Sequence, residues 1–190
     1  MIDIFEVPEL TTNRLVLRPF TLADVPDIVN LMKDKEISDN TMFIPYPYSE
    51  NDAIDWLATH STELGENKGL VFAITLKESK TFVGSIGLTF NADNNHTEMG
   101  YWIGKNFWNN GYATEASKRV MEFAFDDICF NRVHAHFMSS NPQSGRVMEK
   151  IGMKYEGTMR QHLLKFDKYQ DIIIYGITKE DYNKLNQNER

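Results

Sequence analysis

The chain has 190 residues, 42% of them hydrophobic and 25% charged, which suits one globular α/β domain with a single core and excludes a largely disordered chain. A formal net charge of −7 with no basic stripe argues against a nucleic-acid partner. No run approaches the ~18–20 apolar residues that span a bilayer, so no membrane segment is expected. The opening MIDIFEVPEL has no basic stretch followed by an apolar run and does not read as a secretory signal. The single cysteine, Cys129, has no internal partner, and its place in the apolar stretch Phe125–Phe130 predicts a buried thiol. These features fit a soluble, cytoplasmic protein, with disorder expected only in the polar tail from Asn183 to Arg190.

The first element, Arg14–Phe20, alternates apolar and polar residues and reads as a strand ending at Pro19. Thr21-Leu-Ala-Asp24 resembles a capping box with Asp in the Glu/Gln role and opens a helix over Leu22–Lys33, whose Val25, Ile28, Val29 and Met32 form one apolar face. The aromatic stretch Met42–Tyr48 carries two prolines and reads as an irregular loop. Ser49 starts a second helix that ends near Gly65. Strands follow at Leu70–Leu76 and Thr81–Phe90, joined by a polar turn at Lys77–Lys80. A further strand covers Thr97–Gly104, a loop Phe107–Tyr112, and a helix Ala113–Asp126. The strand Arg132–Met138 leads to a helix over Gln143–Lys150, which Gly152 ends. Strands at Lys154–Arg160 and Asp171–Ile177 complete the order β-α-α-β-β-β-α-β-α-β-β, with no repeat or linker.

The stretch Thr97–Ala116, TEMGYWIGKNFWNNGYATEA, runs from a strand through a loop into a helix. Such a helix start leaves backbone N–H groups unpaired and partly positive, a seat for a phosphate or pyrophosphate. Gly111 lets the backbone approach an anion closely, and Ala113 stays small for the same reason. No Walker A pattern occurs, since Lys105 is followed by Asn106, and no G-x-G-x-x-G opens a helix. A phosphate-bearing ligand held by a different loop remains. The five histidines show no HExxH spacing, and His134 and His136 share one face of a strand. They read as a surface or half-buried pair rather than as metal ligands, and no metal site is expected.

Five pieces in order and spacing resemble the GNAT superfamily of acyl-CoA-dependent N-acetyltransferases, and within it the branch of ribosomal-protein N-terminal (alanine/serine) acetyltransferases. They are Thr12–Arg18, Phe82–Gly87, Glu98–Ile103, Trp108–Ala116 and Asn141–Met153. The resemblance implies a mixed α/β (α+β) GNAT-like domain spanning the chain: a central, mostly antiparallel, twisted sheet of about seven strands, helices on both faces, and splayed strands at the acyl-CoA site. It implies acetyl-CoA as co-substrate, with the loop Trp108, Asn109, Asn110, Gly111, Tyr112, Ala113 and Thr114 at the pyrophosphate. Trp102, Ile103 and Gly104 would pair with the pantetheine arm, and Asn141 would bond the cofactor near the thioester. Two positions depart from the family: Asn109 and Asn110 stand where a glycine and a basic residue are common, and Met148 where a proton-donating tyrosine is common. In the ribosomal-protein branch the serine of Asn-x-x-Ser takes that task, here Ser144.

The acceptor must attack as a neutral amine. At pH 7 deprotonation costs ~1 kcal/mol for an α-amine and ~4–5 kcal/mol for a lysine side chain. The resemblance places a glutamate at Glu98, on the same strand face as Gly100 and Trp102, and so makes it the candidate base, directly or through a water, with Ser144 the candidate acid. Backbone N–H groups near Ile103 are candidates to steady the oxyanion. Met42–Tyr48 and His162–Tyr169 are expected on the acceptor side, with Arg160 and Lys165 facing an acidic acceptor. The leading acceptor is a protein N-terminal amine. The alternatives are a small amine (amino sugar, polyamine or amino-acid analogue) and a CoA-binding module without turnover, in a monomer or homodimer.

Overall fold

The computed structural model describes residues 6–188. The first five residues of the opening segment and the last two of the polar tail lie outside the described residues. All strands join one sheet of eight, in the order β1 (Leu10–Thr11), β2 (Leu15–Arg18), β3 (Gly69–Leu76), β4 (Phe82–Asn91), β5 (His96–Ile103), β6 (Arg132–Met138), β8 (Lys168–Thr178), β7 (Lys154–Lys165). The eighth strand, beyond the expected seven, is the two-residue β1, too short to carry an alternation pattern. Every neighbouring pair is antiparallel except β5–β6.

Side-chain alternation divides the core between two faces of this sheet. Phe72, Ile74, Met99 and Ile103 pack with Ala116, Val120 and Met121 of α4 (Tyr112–Glu122) and Met148 of α5 (Pro142–Lys150). On the other face Ala73, Phe82 and Trp102 meet α1 (Val25–Met32), α2 (Lys35–Asn40) and α3 (Glu50–Gly65) through Val25, Ile28, Ile37 and Ala53. Helices thus cover both faces, and none is long and apolar enough to cross a membrane among the described residues.

The Thr21–Asp24 capping box is present, but it opens a 3₁₀ turn at Leu22–Asp24, and the α-helix begins at Val25. Asp24 has a larger task than capping. It takes two hydrogen bonds from Arg18, at 2.6 and 2.9 Å, and one from the Thr21 N–H at 2.8 Å. Ser49 and Asp52 form the box that starts α3. Helix α4 ends in a π turn over Phe123–Asp127.

Two expectations are corrected here. Cys129 is exposed. It has φ 68° and lies between the buried Ile128 and Phe130, so the turn that buries its neighbours points its side chain outward. The polar tail is helical over most of its length, as α6 (Lys179–Asn188). Thr178 accepts from the Asp181 N–H at 3.2 Å, and Tyr182, 4% exposed, stacks on Phe125 with ring centroids 4.7 Å apart. One anchored aromatic and a cap hold a segment whose composition alone reads as unstructured.

Candidate active site

The parallel β5–β6 pairing lasts three residues, His96 to Arg132, Thr97 to Val133 and Glu98 to His134. Beyond it β5 stays with β4 as far as Ile103, and β6 stays with β8 as far as Met138, so a gap opens between them. The Gly104 N–H donates to the Val83 carbonyl on the β4 side. Strand alternation then directs the backbone groups of Trp102 toward β4 and those of Tyr101 and Ile103 toward the gap. The Ile103 carbonyl takes the Trp108 indole N–H at 2.6 Å. The Ile103 N–H and the Tyr101 backbone are therefore what β5 presents to an extended arm. Among the predicted trio, Ile103 faces the gap, while Trp102 and Gly104 use their backbones on β4.

At the end of the gap the chain turns into α4. Asn109 (φ 61°) and Gly111 (φ 79°) are both left-handed, which curls the loop into a concave set of N–H groups. The first turn bond, Glu115 N–H to Gly111 carbonyl at 3.0 Å, leaves the N–H groups of Tyr112, Ala113 and Thr114 outside the helix ladder, and no side chain caps them. Asn110 folds its amide back onto the Phe107 and Trp108 carbonyls, each at 3.1 Å, and so shapes the loop. Positive charge comes from Arg14. Its Nη1 donates to the Asn110 carbonyl at 3.0 Å, its Nε to Glu115 at 2.7 Å, and its guanidinium lies 4.8 Å from the Tyr112 ring centroid. Burial pulls the Glu115 carboxyl up, but hydrogen bonds from Thr12 and Arg14 outweigh it and leave the group below the usual carboxylate range. Arg14, just before β2, thus brings a guanidinium against a loop that has no basic residue of its own, a long-range contact that reading the loop by itself does not reveal.

The gap continues into a cavity of about 530 Å³, bounded by Glu98, Tyr101, Trp102, His136, Ser144 and Met148 and by the loop after α2. His136 donates from Nδ1 to Glu98 Oε1 at 3.1 Å. This hydrogen bond is the main reason the Glu98 carboxyl sits below its ordinary range. Burial opposes it, and the nearby His136 and His134 add to the lowering. With Nδ1 donating, neutral His136 keeps Nε2 as an acceptor. Glu98, His134 and His136 each place one ligand-type atom within 4.8 Å of the others. Sequence reasoning placed the two histidines together but missed the partnership with Glu98, because that needs the parallel register of β5 on β6.

Ser144 lies in the first turn of α5. Its Oγ accepts from Asn141 Nδ2 at 3.1 Å, so its own hydroxyl hydrogen is free to turn into the cavity. Asn141 is committed elsewhere: Nδ2 also donates to the Asn40 carbonyl at 3.0 Å, and Oδ1 accepts the Ser144 N–H at 3.4 Å. It fixes the serine and the end of α2. Met148, 2% exposed, supplies no proton at the usual tyrosine place. A phenol does reach the region from β5. The Tyr101 hydroxyl is 3.5 Å from the Ser144 carbonyl, and burial pushes its pKa up to about 12.

Met42, Phe43, Ile44, Pro45 and Tyr48 line the cavity. The β7–β8 hairpin acts on them indirectly. Lys165 Nζ donates to the Thr41 carbonyl and, at 3.2 Å, to that of Ile44, so it ties down the loop instead of facing an acceptor. Arg160 is exposed.

The Acetyltransferase (GNAT) domain family matches residues 14–154, which hold β5, the loop before α4 and α5. The chain belongs to this family. A relative from Bacillus subtilis, the uncharacterized N-acetyltransferase YoaA, is 28% identical over 173 residues, 90% of this chain and 97% of its own. The solved RimL, a ribosomal L7/L12 alpha-N-protein acetyltransferase in complex with coenzyme A, has a TM-score of 0.82 at 16% identity, over 90% of this chain and 98% of that one. The spermidine N-acetyltransferase from Vibrio cholerae, in complex with CoA and spermine, has a TM-score of 0.77 at 20% identity, over 90% of this chain and 99% of that one. The protein is a GNAT N-acetyltransferase, and the splayed strands and the loop before α4 are the GNAT features of its fold.

Proposed function

We propose that this protein transfers the acetyl group of acetyl-CoA to a primary amine, with a protein N-terminal α-amine as the leading acceptor. The observation that carries the reading is the Glu98–His136 pair standing where the β5–β6 gap meets the cavity. The loop before α4 fits the phosphates of CoA. Its N–H groups at 112–114 and the guanidinium of Arg14 are the donors, and the Ile103 N–H and Tyr101 backbone take the pantetheine arm. The thioester supplies the electrophile.

The pair gives the amine a base. Glu98 holds His136 with Nε2 free, and His136, directly or through a water, receives the ammonium proton. An imidazole suits this task near neutral pH better than a lone carboxylate of lowered basicity. The neutral amine attacks the acetyl carbonyl and forms the C–N bond, the C–S bond breaks, and the proton that the nitrogen sheds as it becomes an amide passes to the leaving thiolate by way of Ser144, whose hydroxyl is free to donate. An α-amine needs only ~1 kcal/mol of deprotonation at pH 7, which suits a modest base. The fold likeness to RimL is consistent with an N-terminal acceptor. Carboxylates on the cavity wall favour a second reading, a small cationic amine, and the fold likeness to a spermidine acetyltransferase accords with it.

Thiol release from acetyl-CoA, measured with short peptides, the same peptides N-terminally blocked, and polyamines, tests the proposal. Turnover with free peptide termini that vanishes on blocking is the expected result. Turnover with polyamines alone would replace the acceptor, and no turnover with any amine would remove the proposed reaction.

A further inference from the structure

The cavity wall has an uneven chemistry that bears on which amines it takes. Three carboxylates line it, Asp52, Glu63 and Glu98, and among the described lining residues there is no lysine or arginine. Asp52 accepts hydrogen bonds from the Ser49 N–H and hydroxyl, which hold its carboxyl below the ordinary range, and Glu98 is lowered by His136, so both are charged at neutral pH. The rest is apolar. Phe43 lines the cavity while 82% exposed, a large ring given to water on a loop that Lys165 holds in place. Trp56 and Trp102 stand deeper, packed with the α1–α3 core.

The floor between Glu98 and Trp102 is bare at Gly100, while Val71 leans over the neighbouring Gly87. Gly87 on β4 pairs directly with Gly100 on β5, and both line the cavity. A Cβ built at Gly100 meets nothing within 4 Å, so the space above it belongs to no part of the protein. Its face is that of Glu98, two residues away in the strand. An acceptor whose amine reaches the Glu98–His136 pair would lay its next atoms over Gly100, in the cavity that Phe43 also lines.

We propose that the acceptor is a cationic primary amine whose side group is apolar and uncharged, seated over Gly100 in the cavity that Phe43 also lines, and that amines carrying a carboxylate beside the nitrogen are rejected by the three wall carboxylates. This rests on the acetyltransfer reading above and narrows its substrate class. Placing a fourth negative charge in the cavity costs affinity through like-charge repulsion, while a carboxamide of the same shape does not.

The test compares phenylalaninamide, phenylalanine and glycinamide as acceptors for the full-length protein with acetyl-CoA, and repeats the series with Gly100→Val and Phe43→Ser. Expected are a kcat/KM for phenylalaninamide at least about tenfold above that for phenylalanine and above that for glycinamide. In Gly100→Val, CoA binding by calorimetry and the unfolding midpoint stay near wild type, because a Cβ at this position meets no protein atom within 4 Å. The KM for phenylalaninamide then rises several-fold more than that for glycinamide. Phe43→Ser should raise the same KM. Equal use of phenylalanine and its amide, no size dependence in Gly100→Val, or CoA binding with none of the three acetylated would overturn the substrate class. Acetylation of amines without preference would leave the acetyltransferase reading standing. Loss of both CoA binding and thiol release with every amine would take that reading down as well.

Discussion

At the scale of single residues, the Glu98–His136 pair carries the sharpest expectation. Glu98→Gln and His136→Asn should each lower kcat by about 10²-fold at pH 7, the low end for a positioned base. The deficit should shrink as pH rises past ~8, where an α-amine becomes neutral unaided. A pH-independent deficit in both variants, measured by thiol release, would mean the pair does not move that proton. Glu98 is a candidate in the sequence through the family resemblance, with its strand face shared with Gly100 and Trp102. His136 is not, since its role depends on which strand lies alongside. A second residue acts on stability alone. His60 packs edge-on to Trp56 at 4.7 Å, and burial without a partner for Nε2 lowers its pKa from 6.5 to about 4. Between those values the unfolded chain binds the extra proton, so stability rises with pH across the window and is lost as pH falls through it. The imidazole is partly exposed, so the effect discounts to about 1–2 kcal/mol. Denaturant melts at pH 4 and 6.5 should show this slope flattened in His60→Phe, and an unchanged slope would assign it to other groups.

At the scale of elements, α4 is anchored by a residue from the opposite end of the domain sequence. Arg14 ties the loop carbonyl of Asn110 to Glu115 and stands beside the N–H groups proposed for the phosphates. Arg14→Ala should raise the Kd for CoA about 5–10-fold, with the gap narrowing in high salt, and Arg14→Lys should recover only part, since a lysine cannot span both partners. Identical Kd values across the three proteins would show that backbone donors suffice. The Arg18–Asp24 pair at the start of α1 is more buried, with 29% and 6% of the side chains exposed. Asp24→Asn leaves Arg18 half-satisfied and should cost about 2 kcal/mol in urea unfolding at neutral pH. The elements themselves were mostly readable, because long apolar periodicities and caps survive tertiary packing. Those that escaped share a cause. The short helix α2 has little periodicity to detect, α6 is held by one ring, and β7 runs past Arg160 through a bulge between Met159 and Leu163 that interrupts the alternation.

At the scale of the whole molecule, the family resemblance implied a mixed sheet with two covered faces and splayed strands, but the gap in that sheet is a property of pairing. It exists because β5 follows β4 while β6 follows β8, and nothing in either strand's composition announces where they part. Acetyl-CoA bound in that gap would act as a partial strand, so its binding should stabilise the fold by mass action, about 2.7 kcal/mol at a hundredfold excess over Kd. For a domain of this size that corresponds to a rise of roughly 5–10 °C in the unfolding midpoint. The protection should also be local. Amides of Tyr101 and Ile103, which face the gap, should exchange quickly in the free protein and slow on binding by more than the global stabilisation requires, while amides of Thr97 and Val133, inside the paired stretch, should follow the global change alone. Hydrogen exchange with and without acetyl-CoA separates the two. Uniform slowing across β5 would place the ligand's contacts away from the strand edge and leave the loop before α4 as the main seat of binding.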